Sequence, residues 1–79
     1  QAPDWTESEF EVLVNSYGLP DEELAHRLPQ RSMGAIEVVK EGIHAFHLGN
    51  DISMLSQMMR SYLDRRHGSV VCPKCGMNF

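Results

Sequence analysis

No apolar run in this sequence exceeds a few residues, far short of the roughly 20 that a membrane-spanning helix requires. No basic segment followed by an apolar stretch opens the chain, so a secretory signal is not expected. The opening Gln1, where a Met would start a chain, is expected of an excised fragment or a processed product. Also missing are a Gly-rich phosphate loop, a nucleophile elbow and a His-Glu-x-x-His pair, so the expectation is a binding module and not an enzyme. There is no internal repeat and no low-complexity stretch. Cysteine is scarce, with two residues in 79. A chain of this length excludes a multi-domain enzyme and most folds with a large enclosed cavity. Chains this short often need a disulfide, a metal or a partner to offset folding entropy, which directs attention to the two cysteines.

Basic charge is also thin. The formal net charge is −4, and it is unevenly spread. All seven charged residues in 1–25 are acids (Asp4, Glu7, Glu9, Glu11, Asp21, Glu22 and Glu23), whereas residues 26–50 sum to +1 and 51–79 to +2. Such a run suits a solvated face and the preference of helix N-termini for carboxylates. A nucleic-acid binder usually carries a clearer basic footprint.

What is present reads as four helices and a short tail. Thr6 and Glu9 have capping-box spacing, and Phe10, Leu13, Val14 and Tyr17 then form one apolar stripe. Gly18 and Pro20 end this helix, and Trp5 is placed to fold over the stripe. Asp21 is expected to cap a second helix carrying Leu24, Ala25 and Leu28, which Pro29 ends. Ser32 caps a third, with Ala35, Ile36, Val39, Ile43 and Phe46 inward. Gly34 and Gly42 weaken it by roughly a kcal/mol each relative to Ala. Gly49-Asn50-Asp51 is a stop followed by a new start. The fourth helix, about 52–66, places Ile52, Leu55, Met59, Tyr62 and Leu63 on one face, with Met54 and Met58 alongside. Gly68 releases the chain into Val70-Val71-Cys72-Pro73-Lys74-Cys75-Gly76.

Trp5-Thr6, the following E-x-x-x-L with its Tyr, and Leu24-Ala25-His26-Arg27-Leu28-Pro29-Gln30-Arg31-Ser32 through Ala35-Ile36 resemble the Myb/SANT-like family. The resemblance covers about residues 4–47. It implies a three-helix bundle in which helices two and three form a helix-turn-helix and the third enters the DNA major groove. The expected fold is therefore all-α: a Myb-like helix-turn-helix over 4–48, an additional amphipathic helix over 51–67, and a zinc-knuckle tail over 68–79.

The outward side of helix three offers the candidate DNA contacts. Arg31 and Ser32 lie at the helix start, where phosphate is favoured. Glu37 is suited to a cytosine amino group, and Met33 or Val38 to a thymine methyl. Lys40, Glu41 and His44 complete this side. Glu37 and Glu41 put negative charge there, so a second expectation stands beside double-stranded DNA: a SANT-like protein-interaction module receiving a basic partner segment.

Cys72 and Cys75, two residues apart, suit a single tetrahedral zinc ion, with Gly76 permitting the tight turn beneath the sulfurs. They are too close for a useful structural disulfide, and the βαβ setting of a thioredoxin-like pair is absent. His44 and His47, three apart on helix three, complete a Cys₂His₂ site that would clip the tail to that helix. The rival ligand is His67, completed by another histidine or by a second chain. An antiparallel fourth helix would carry His67 away from His47, making them poor co-ligands. A CPxCG knuckle also commonly opens a zinc ribbon whose second knuckle comes later. Phe79 is placed to pack beneath the metal. Four protein ligands would leave no open position, so the zinc is expected to be structural, and its reduced thiols suit an intracellular protein. The fourth helix either covers the back of the three-helix unit or serves dimerisation and docking. Its Arg60, Arg65 and Arg66, with Lys74, form the most basic region.

Overall fold

A computed structural model describes residues 4–16 and 18–79. Four helices occur among them: α1 (Glu7–Asn15), α2 (Asp21–Arg27), α3 (Met33–Leu48) and α4 (Gln57–Arg65). Helix α1 starts as its local sequence dictates. The Glu9 N–H donates to Thr6 Oγ1 at 3.2 Å, and the Thr6 N–H donates to Glu9 Oε1 at 3.0 Å, a reciprocal capping box. Phe10 and Leu13 from its apolar stripe are buried; Tyr17 lies outside the described residues.

Helix α2 departs from expectation at its start. Pro20 occupies the N-cap position and makes no side-chain cap, while Asp21 is already helical. Its carboxylate is taken by Lys40 of α3, at 2.8 Å. In α3, Ser32 Oγ accepts from the Ala35 N–H at 3.1 Å. The helix closes at Gly49, whose φ of +76° is a left-handed conformation that glycine adopts without strain.

Helix α4 begins at Gln57, five residues later than expected. Two cap-like residues compete in this stretch, and Ser56 wins by accepting from the Met59 N–H at 3.3 Å. Asp51 instead closes a local turn through the Ser53 N–H, at 3.0 Å. The segment so released from helix crosses α3 at Gly42, where an added Cβ would stand only 2.4 Å from Leu55 Cδ2. The glycine that costs helix propensity is therefore the one that admits Leu55 to the core. Gly34 has no such role, since its nearest neighbour would be Ser32 Oγ at 3.9 Å.

Helix α1 packs on α4, and α2 packs on α3. A single apolar cluster joins all four with the tail. It runs from Phe10 and Leu13 through Leu24, Leu28, Ile36, Val39 and Ile43 to Leu55, Met59, Tyr62, Leu63 and Val70. Phe10 meets Tyr62 edge-on, with ring centroids 5.3 Å apart, a favoured aromatic geometry. The fourth helix thus shares one core with the other three. No helix among the described residues is long and apolar enough to cross a membrane.

Candidate metal centre

After Gly68 the chain doubles back on itself. The Val70 N–H donates to the Phe79 carbonyl at 3.0 Å, and the Phe79 N–H returns a bond to the Val70 carbonyl at 2.8 Å. Val71 and Asn78 form an antiparallel bridge, and the Cys72 N–H donates to the Met77 carbonyl at 2.8 Å. At the tip, the Gly76 N–H donates to the Cys72 carbonyl at 2.9 Å. Gly76 has a φ of +76°, so the turn beneath the sulfurs uses the freedom that glycine alone has at low cost. The Cys-Pro-Lys-Cys-Gly segment thus forms the tight turn its spacing predicts, the knuckle of the hairpin.

The hairpin lies against α3. His44 Nδ1 is 3.1 Å from Cys72 Sγ. The donor atoms of His44, Cys72 and Cys75 all fall within 4.8 Å of one another, close enough to share one ion. Cys72 is fully buried, His44 is half-buried and Cys75 is exposed. Burial pushes the Cys72 thiol up, while backbone N–H donors from Cys75 and Lys74 oppose that shift by favouring the thiolate. Two sulfurs and an imidazole in this arrangement form a set that could hold a metal.

The expected fourth ligand, His47, is not part of the cluster. Helical spacing puts it one turn beyond His44, but its ring lies against Phe79 with centroids 4.7 Å apart. Phe79 also contacts Phe46, with ring centroids 5.9 Å apart, so it packs on the C-terminal end of α3. His67 is exposed beyond the end of α4 and is also outside the cluster.

The candidate DNA contacts on α3 separate into two groups. Arg31 does not reach outward. Its guanidinium is buried, donates to both Glu9 carboxylate oxygens at 2.7 and 3.0 Å, bonds the Asp4 carbonyl at 3.0 Å, and lies 5.1 Å from the Trp5 ring centroid. Hydrogen bonds from Arg31, with help from the Thr6 backbone, lower the Glu9 carboxyl to about 2. Lys40 is largely covered and paired with Asp21. Glu37 and Glu41 both bind Lys74 of the knuckle, the latter at 2.9 Å. This pairing raises Lys74 and lowers Glu41 from their ordinary values. Ser32, Met33 and Val38 remain exposed.

Lys74 was visible in the sequence only as part of a basic C-terminal region. Its partners lie more than 30 residues upstream, and only the knuckle's docking identifies them. Arg65 and Arg66 likewise face Glu7 and Glu11 of α1, at 2.6 and 3.6 Å. No protein-family model, curated protein or solved structure matches this chain.

Proposed function

We propose that this chain is a zinc-stapled helix-turn-helix module that binds double-stranded DNA as part of a larger regulatory or nucleic-acid-processing protein. The observation that carries the reading is how α3 is packed. This 16-residue helix is covered by the core, by the 54–59 segment and by the knuckle. Its exposed positions are Ser32, Met33, Gly34 and Val38 toward the N-terminal end, then Glu41 and Leu48. An exposed ridge at the N-terminal end of the second helix of a helix-turn-helix is what major-groove docking uses. Gly34 would let that backbone approach a phosphate closely, and Ser32 offers it a hydroxyl. Zinc is the metal that best suits two thiolates and an imidazole. His47, one turn along α3 from His44, would complete a closed structural site if its ring turned from Phe79.

Arg31 and Lys40 are themselves largely covered in their pairs with Glu9 and Asp21. Arg27, Arg65 and Arg66 keep side chains more than half exposed in their pairs. Exposed pairs of this kind contribute little stability and exchange readily for phosphate. These three arginines, with Arg60, are the available backbone contacts. Gel shifts against pooled random duplexes test the reading at low and moderate salt. Shifted bands that weaken as salt rises are expected; no shift at micromolar protein and low salt contradicts it.

A protein-docking module is the second reading, favoured by the exposed apolar side chains on and beside that ridge. Met33, Val38 and Met54 are 44%, 51% and 43% exposed, and six of the seven Lys and Arg side chains lie within ion-pair distance of a carboxylate. Retention of this chain by a basic peptide, with no duplex binding, would favour that reading over the first.

A further inference from the structure

We propose that Lys74 is a metal-held counter-charge that makes the outer side of α3 compatible with DNA, so that metal loading regulates DNA binding. The inference rests on the DNA reading above. Glu37, Glu41 and His44 follow one another at successive helical turns on one side of α3. Lys74 lies between the two cysteines, at the tip of the hairpin. When Cys72, Cys75 and His44 share an ion, the backbone on both sides of Lys74 is tied to α3 and its ammonium is held over the two carboxylates. The structure has this arrangement: Lys74 bonds both Glu37 and Glu41. Its side chain is 29% exposed, whereas the carboxylates are 45% and 57% exposed. The cation is thus tucked between two anions that face solvent next to Val38.

The consequence is electrostatic. With the knuckle docked, the Glu37–Lys74–Glu41 group carries one net negative charge. With the knuckle released, α3 presents two uncompensated carboxylates beside the ridge that would approach phosphates, within a Debye length of them. Thermodynamic linkage makes the effect reciprocal. If Lys74 latches the knuckle to the glutamates, removing either side of the latch must weaken metal binding as well.

The test compares wild type, K74Q, the double variant E37Q/E41Q and the triple variant, using Zn²⁺ for duplex binding and Co²⁺ for metal affinity. Zinc-loaded K74Q should bind pooled duplex about tenfold more weakly than wild type, and adding E37Q/E41Q should restore it to within about threefold. Chelation should weaken wild type about as much as K74Q does, and E37Q/E41Q less. Co²⁺ affinity should fall several-fold in K74Q and in E37Q/E41Q, with no further fall in the triple variant. Unchanged Co²⁺ affinity in both, or zinc-loaded K74Q binding duplex as wild type does, would overturn the proposal. If no form binds duplex while the Co²⁺ coupling persists, the regulatory claim falls with the DNA reading and only the metal-held ion pair stands.

Discussion

The helical body and the knuckle are held together by different means. Eleven of the twelve buried residues in the apolar cluster belong to the body; the tail contributes Val70, with the half-buried Phe79 packed against the cluster. From Lys74 to Asn78 every residue is exposed, so the hairpin tip has no core of its own. It is held by backbone hydrogen bonds, the ion pairs of Lys74 and the approach of Cys72 to His44. Hydrogen bonds at a solvent-exposed hairpin contribute little net stability each, and an isolated two-stranded hairpin is marginal in water. The body should therefore stand without metal and the knuckle should not. A metal held by His44, Cys72 and Cys75 would be a local staple for the tail, so the need of a small chain for a staple falls on one end of this one.

The largest expected effect breaks the body. Phe10→Ala removes a fully buried ring from the junction of α1 and α4 and should cost about 3–5 kcal/mol in denaturant unfolding. Gly42→Ala forces a methyl against Leu55 and should cost about 1–3 kcal/mol. Gly34→Ala has room and should stabilise by about 0.5–1 kcal/mol. The two glycines of one helix thus give opposite signs, and equal effects would contradict the crossing of α3 by the 54–55 segment.

The Arg31–Glu9 pair tests the body's polar tie. Glu9→Gln should lower Tm by about 5–10 °C. Because the folded carboxyl sits near 2, below its ordinary value of 4.5, its stabilisation is complete above about pH 4.5. It is lost as pH falls from there toward 2. Thermal melts across that range should decline more steeply in wild type than in Glu9→Gln. The smallest effect expected is that of His67→Ala, which should leave zinc content and Tm unchanged, because His67 lies outside the metal cluster.

The helix starts at Thr6 and Ser32 were legible because each cap is made within four residues of sequence. The start of α4 was not, because Asp51 and Ser56 both carry cap chemistry and the choice depends on Leu55 settling over Gly42. Cys72, Cys75 and His44 were legible from ligand spacing. His47 shares the helical side of His44, but sequence spacing says nothing of Phe79, whose ring meets it. The position of Arg31 at the start of α3 suggests a phosphate contact, because the local sequence shows nothing else. Its actual partner, Glu9, is 22 residues away. The charges least legible in the sequence were those whose partners lie on another element.

Metal-dependent hydrogen exchange on the purified chain tests the staple most directly. With one zinc bound, the backbone N–H groups of Val70, Cys72, Gly76 and Phe79 should be protected. A chelator should remove that protection while the amides of α1 and α4 keep theirs. A chain that binds no zinc, or hairpin protection that is unchanged by the chelator, would contradict the account.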